Sequence, residues 1–309
     1  MVDVPNPVQA PPSVRDSAWR VRMRRGWELT SGVLANPTTL VGLVIVTAMI
    51  AMALLAPVIT VPNTPDAYQM PRDWTAARVP PGTPGHFLGT TNRGGDVLYG
   101  VIWGARTSLR LSLMVVSLTV VIGVIIGSIA GSIGGRVDEV LMRIVDVFLS
   151  IPELIFALAI AAVLGPSFRN IILALVVVLW VKYARIMRAQ IIRVKQNEYI
   201  DAARVIGDSR LRIYLKDILP NSITPVMVQA TLDMGNVVLI GATLSFIGLS
   251  EAGIAEWGVL VSEGQAGISA GRWWASTFPG LMVFLWALAF NLVGDGLRDV
   301  LDPRTESAR

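Results

Sequence analysis

The segment EYIDAARVIGDSRLRIYLKDILPN, Glu198 to Asn221, carries both signs of charge and closes on a proline, yet it lies between two of the most apolar parts of the chain. What those flanks are decides the fold. Of 309 residues, 53% are hydrophobic and 16% charged, with a mean hydropathy of +0.60; soluble domains average roughly 45–50% apolar and about 25% charged. An apolar run of about 20 residues, rising about 1.5 Å per residue as a helix, crosses a hydrocarbon layer of about 30 Å. Six such runs are read: Thr38–Val58, Leu109–Ile133, Ile144–Leu164, Ile171–Met187, Ile223–Ile247 and Phe278–Gly294. They are helices rather than strands, because an open sheet edge leaves its amides unpaired in lipid. The expected class is an all-α polytopic membrane protein with six transmembrane helices.

Sidedness follows from the arginines and lysines, which concentrate in cytoplasmic loops. The arm 1–37 carries Arg15, Arg20, Arg22, Arg24 and Arg25, and the segment after the fourth run carries Arg188, Arg193, Lys195, Arg204, Arg210, Arg212 and Lys216. Arg298, Arg304 and Arg309 mark the C-terminal end, with residues 304–309 as a tail. Both termini are therefore expected inside, the Pro- and Gly-rich connection 59–108 outside, and residues 109–303 as a core of five spans. Trp19 and Trp27 among the arm's arginines suit contact with membrane lipid.

Charge and motif content narrow the chemistry. The net charge of +4 follows membrane sidedness, so a nucleic-acid surface is not expected. The chain has no cysteine, hence no disulfide and no thiol nucleophile, and its single histidine, His86, reads as a solvated loop residue rather than a metal ligand. It contains no phosphate-binding G-x-x-x-x-G-K-[ST], no H-E-x-x-H and no G-x-S-x-G, so neither catalytic residues nor a bound cofactor are expected.

The opening segment can now be read as a helix, a bend and a second helix. Ile200, Ala203 and Ile206 recur at helical spacing; Gly207 suits the left-handed residue that ends a helix. Asp208 or Ser209 can cap a second helix in which Leu211, Tyr214, Leu215 and Ile218 share a face, and Pro220 is expected to end it by restricting Leu219. Such a segment could rest on lipid headgroups. The small side chains of Ala202 and Ala203 and the fixed bend favour instead a compact knob shaped for a protein groove.

DAARVIG followed by ILP resembles the Glu-Ala-Ala loop of ATP-binding-cassette importer permeases. Ala202, Ala203, Gly207, Leu219 and Pro220 fit that motif, with Arg204 inside it and Asp201 standing where the family usually has glutamate. FLGTTNRGGDVLYGVIWGARTSLRLS (Phe87–Ser112), LSFIGLS (Leu244–Ser250), EWG (Glu256–Gly258) and FPGLMVFLWALAFNLVGDGLRDVLDPR (Phe278–Arg304) are similar to the dipeptide and oligopeptide permeases of the second-subunit type. Arg93-Gly94-Gly95-Asp96 departs from the more usual Gly-Arg-Asp of that group by a glycine.

The resemblance implies a type I importer permease fold in a bacterial inner membrane. It implies that the 198–221 loop is a coupling helix docking an ATPase subunit. The implied partners are a homologous second permease subunit, two cytoplasmic ATPase domains that bind the ATP, and an extracytoplasmic substrate-binding protein. The implied cargo is di- or oligopeptides, with nickel chelates, glutathione or another small solute as alternatives. A secondary transporter is the alternative of another class, but no internal repeat supports it.

Within the spans, Gly123, Gly127, Gly131 and Gly135 form a four-residue ridge for close helix approach, most simply within the chain. Ionisable residues there are costly unless they face a cavity or a partner. Asp146 and Glu153 are expected on roughly one face of the third span, with Pro152 opening the helix between them and Asp146 paired to Arg143 or Arg185. Asp233 is expected near the wall of the pathway.

Overall fold

A computed structural model describes residues 36–62 and 66–301; the arm and tail readings above fall outside the described residues. Helix α1, Pro37–Ile59, starts where the Asn36 side chain accepts the Thr38 amide at 3.1 Å and Pro37 occupies the first turn. After an irregular segment comes α2, Val97–Ile133, capped by Asp96, whose carboxylate accepts the Tyr99 amide at 2.9 Å. It begins earlier than the apolar run at Leu109, because the cap fixes the first turn and Val97, Val101 and Ala105 are buried under neighbouring segments.

The third run is not one continuous crossing. It is divided into α3, Gly135–Leu149, and α4, Glu153–Leu164, bent by 85° at Ser150–Pro152. Pro152 has no amide to donate and disfavours helix at Ile151, so the ladder stops there. Asp146 and Glu153 consequently sit on separate arms rather than on one face. Helix α5, Phe168–Val194, follows. The chain then forms α6, Glu198–Ile206, α7, Arg210–Ile213, a π turn over Tyr214–Ile218, and α8, Leu219–Ser222. Three further helices complete the described chain: α9, Thr224–Phe246, α10, Trp257–Ile268, and α11, Trp274–Leu301. Among the described residues, five helices are long and apolar enough to cross a membrane, and six if the bent pair counts as one.

The glycine ridge packs inside the chain. A Cβ on Gly123 or Gly127 would collide with Tyr183 or the Ala184 carbonyl, and one on Gly131 would meet Ile191 at 3.0 Å, so α2 and α5 approach backbone to backbone. Gly135 does not belong to this contact: it opens α3 with φ +56 and has open space around it.

At the opposite end of α2 from Gly131, residues 66–96 and α10 close over the bundle. Trp257 is fully buried and donates its indole N–H to the Val101 carbonyl at 3.0 Å, lying against Gly104, where a Cβ would strike the ring. Glu256, also buried, caps α10 by accepting the Gly258 and Val259 amides at 3.2 and 3.3 Å. Burial pushes its carboxyl above the usual range, against the opposing pull of Ser245 and those two amides. Arg72 and Arg93 both reach Glu263, at 3.4 and 3.5 Å. The additional glycine of Arg93–Asp96 has a local reason. Gly94 takes φ +73, and any side chain there would strike the Asp73 carbonyl. His86 is not simply solvated: its Nδ1 lies 2.8 Å from Asp96 Oδ2, bracing the carboxylate that caps α2.

Candidate functional site

Two sets of polar residues remain to be explained: the segment from Glu198 to Asn221 and the charges within the spans. The first begins as α6 and turns at Gly207, which takes φ +92 as a left-handed cap. The Asp208 amide donates to the Ala203 carbonyl at 3.2 Å and the Gly207 amide to Arg204 at 3.1 Å, which locks the bend. Of the two candidate caps, Ser209 is the one used: its hydroxyl accepts the Arg212 amide.

The faces of this segment differ from the sequence expectation. Ile200 is fully buried and Ala203 packs against the core, while Ile206, expected on the same stripe, is 82% exposed beside Val205 at 88%. In the second helix Ile213 and Ile218 face inward and Leu211 and Leu215 outward. Ile206 lies about 240° around the helix from Ile200 and so leaves its face, while the π turn Tyr214–Ile218 sets Ile218 on the same inward side as Ile213. Pro220 does not end the helix. Leu219 keeps helical angles, φ −59 and ψ −49, and the chain stays helical into Ser222. The π turn displaces the backbone pairing at the place where proline cannot donate.

Ala202 is exposed while Ala203 is partly buried, so the pair forms no single surface. Asp201 and Arg204 bind each other at 2.7 Å on the exposed side. The segment thus presents Val205, Ile206, Leu211 and Leu215 around a glycine bend. Four large apolar side chains are exposed in this way on an otherwise charged segment.

The intramembrane charges form a ladder. Lys182, Arg185 and Arg188 recur every three residues on α5. Each meets a carboxylate of the broken span: Lys182 with Glu153 at 3.6 Å, Arg185 with Asp146, and Arg188 with Asp138. Asp146 therefore takes the second of its two expected partners. Asp233 on α9 is buried within this chain. It accepts from Tyr183 Oη at 2.5 Å, Lys182 Nζ at 3.1 Å and Gln229 Nε2 at 3.1 Å. Asn236 Nδ2 reaches Glu153 at 3.4 Å. The more exposed members of this cluster are Glu153 and Lys182, whose side chains are 37% and 22% accessible.

Of this ladder only the Asp146–Arg185 rung is among the sequence expectations; Lys182 is not. The signal was available as three cations at i, i+3 and i+6 in an otherwise apolar helix, but the carboxylate partners lie across a break that periodicity alone does not locate. The Arg185–Asp146 rung is substantially exposed and contributes little stability by itself, whereas Arg188–Asp138 is part-buried; both fix how the bent span lies along α5. Among the described residues no group of three or more potential ligands could hold a metal ion.

Residues 123–307 match the family described as binding-protein-dependent transport system inner membrane component, and residues 33–81 match the N-terminal transmembrane domain of oligopeptide transport permease C. The chain is 39% identical to a probable D,D-dipeptide transport system permease protein of Escherichia coli K12, over 90% of this chain and 92% of that one. It is 42% identical to the dipeptide transport system permease protein DppC of the same organism, over 87% and 90%. With the DppC of Alkalihalophilus pseudofirmus it shares 35% identity over 98% and 96%. Two solved structures share the fold at 21% identity. One is the MetNI methionine transporter, with TM-score 0.54 over 67% of this chain and 98% of that chain; the other is an amino acid transporter, with TM-score 0.50 over 63% and 91%. The bundle thus has the fold of known transporter permeases, and the chain belongs to the binding-protein-dependent transport system inner membrane component family, as a permease of the dipeptide and oligopeptide type.

Proposed function

We propose that this chain is one half of the translocation pore of a peptide importer, and that Glu198–Asn221 is its docking knob for a separate ATPase subunit. The carrying observation is the apolar crown of Val205, Ile206, Leu211 and Leu215, held outward by Gly207 on a segment otherwise fit for water. The remaining parts of the machine are a homologous second permease subunit, a pair of ATPase domains that hold the ATP, and a binding protein that delivers cargo on the outer face. Closure of the ATPases moves the knob. The knob leads into α5 on one side and α9 on the other, so its displacement bears on the helices that carry the charge cluster. Switching between outward and inward access is then a rigid-body rearrangement of packed helices.

Peptide cargo rests on the relatives, which are named for dipeptide and D,D-dipeptide transport. A peptide has charged termini and several amides that need partners, so its route must be wide and hydrated. Ile206→Asp and Val205→Asp test docking in proteoliposomes holding the full complex with its binding protein. The expected result is normal insertion with loss of cargo-stimulated ATP hydrolysis and uptake. Full activity of both variants would remove the docking assignment. Sidedness is tested by Ser209→Cys, since the chain has no native cysteine: labelling from the inner face only is expected, and labelling from outside in intact cells would invert the topology.

A further inference from the structure

The lipid-accessible surface of a membrane protein tolerates neither open backbone nor an ionised side chain in its hydrocarbon zone. At one place in this chain both occur together. The backbone is interrupted at Ser150–Pro152, where all three residues are exposed. The next residue, Glu153, begins α4 and keeps more than a third of its side chain accessible while bound to Lys182. Lys182 lies near the midpoint of the 27-residue α5, and Asp233 near the middle of the 23-residue α9, so the cluster sits at the centre of the bundle's depth rather than at an interface.

The chemistry is graded from inside to outside. Asp233 is held by Tyr183, Gln229 and Lys182 in the interior. Lys182 turns its ammonium between Asp233 and Glu153, at 3.1 and 3.6 Å. One cation thus faces two carboxylates, a formal sum of −1, and the carboxylate that is the less completely partnered is the exposed one. Glu153 has Asn236 and Lys182 at 3.4 and 3.6 Å, both longer than the contacts made to Asp233. A surplus negative charge half-open at mid-depth, beside a broken helix, is a receptor for a cation.

We propose that the Ser150–Pro152 break and Glu153 line the cargo pathway, and that Glu153 receives the α-ammonium group of a peptide in transit, with Lys182 and Asn236 as positioning residues. The assignment of ammonium rests on the peptide reading given above; the placement in the pathway does not. In this arrangement an arriving ammonium replaces the long contact to Lys182, which remains neutralised by Asp233. The site therefore opens without leaving a bare buried charge.

Two measurements on the complete complex with its binding protein test this. Ser150→Cys is introduced into the cysteine-free chain, and its reaction rates with a cationic trimethylammonium and an anionic sulfonate methanethiosulfonate reagent are compared in proteoliposomes. The cationic reagent is expected to react faster, and adding Glu153→Gln should lower the cation-to-anion rate ratio about tenfold. Absence of reaction with either reagent would place this face against lipid or a partner and overturn the pathway placement; an unchanged ratio would overturn the cation site. The second measurement is ATP-driven uptake of a labelled dipeptide delivered by its binding protein. Glu153→Gln should raise the half-saturating concentration at least fivefold, with Glu153→Asp partly restoring it, whereas a purely structural role would lower the maximal rate of both variants alike and sink the ammonium assignment. If the unmodified complex carries no peptide at all, the cargo reading fails by itself, and the reagent ratio still decides whether the charge serves the pathway.

Discussion

The proposed docking knob and the closure built from residues 66–96 and α10 are both polar excursions from an apolar bundle, yet they treat their large side chains in opposite ways. The closure hides them. Trp257 is fully buried, Trp274 nearly so with its indole N–H on the Thr90 carbonyl at 3.1 Å, and the carboxylate of Glu256 is spent on α10's own amides. The knob shows them, with Val205, Ile206, Leu211 and Leu215 each more than half exposed. A region that satisfies itself contributes to stability; one that leaves apolar surface bare does so for something that arrives later. Substitutions in the two regions should accordingly separate into losses of folding and losses of coupling.

The largest effect on folding is expected at Trp257→Ala. It removes a fully buried indole, for which truncation costs about 3–5 kcal/mol, and leaves the Val101 carbonyl without its donor. Thermal unfolding of the purified complex in detergent should show a midpoint lowered by many degrees. Ile206→Asp, measured alongside, should leave it in place. Equal shifts for the two would dissolve the distinction.

Next comes Gly207. At φ +92 a β-branched residue is strained by roughly 1–2 kcal/mol, while asparagine tolerates the left-handed region. Gly207→Val should abolish cargo-stimulated ATP hydrolysis with little change in melting, and Gly207→Asn should retain most of it. No clash contributes, since a Cβ at Gly207 meets open space; the difference reports backbone angle alone. If valine and asparagine behave alike, the bend is not what presents the crown.

These two sites also mark what the sequence could and could not reveal. The spans were legible because lipid imposes length and apolarity on every helix, and the bend was legible because Gly207 and Ser209 are local signals. Missing were features set by three-dimensional register. The π turn set Ile218 on the side of Ile213 rather than of Leu211 and Leu215, and Pro220 was absorbed into a continuing helix; the opening expected at Pro152 was legible, but not its size, a bend of 85°. Asp233 stands out in the sequence as a charge within a span, but its partners Lys182 and Tyr183 on α5 lie far away in sequence and are found only in the fold. Lone acidic residues in apolar helices point to a cluster; they do not say which member faces water.

A folding effect below that of Trp257→Ala is expected at Glu256, where the closure's self-sufficiency can be separated into hydrogen bonding and charge. Glu256→Ala deserts two buried amides at about 1–3 kcal/mol, whereas Glu256→Gln keeps an acceptor on them. Because burial raises this carboxyl's pKa in the folded state, its contribution is fully present below the unfolded carboxyl's pKa and is lost as pH rises through the folded value. Unfolding midpoints measured from acidic to neutral pH should fall with rising pH in the native chain and less so in Glu256→Gln. A glutamine variant as unstable as the alanine variant at every pH would show that the ionised form, not the acceptor, holds α10.

The smallest folding effect is expected at Arg204, on the knob itself. Its pair with Asp201 joins two side chains that are both at least half exposed, 51% and 67%, at i and i+3. Such pairs contribute about 0–1 kcal/mol and are screened by salt. Arg204→Ala should therefore leave the melting midpoint within error. What remains is the partner: a guanidinium standing beside the apolar crown would sit at the rim of a docked interface, where charge governs association rate and salt dependence more than final affinity. The expected signature is cargo-stimulated ATP hydrolysis that is reduced several-fold at low ionic strength and approaches the native value as salt is raised. A midpoint shift comparable to that of Trp257→Ala would mean that the knob, like the closure, is held by its own polar contacts, and the contrast between the regions would not stand. Salt-independent loss without a midpoint shift would instead place Arg204 within the buried centre of the contact, paired to an acidic group of the ATPase rather than at its rim.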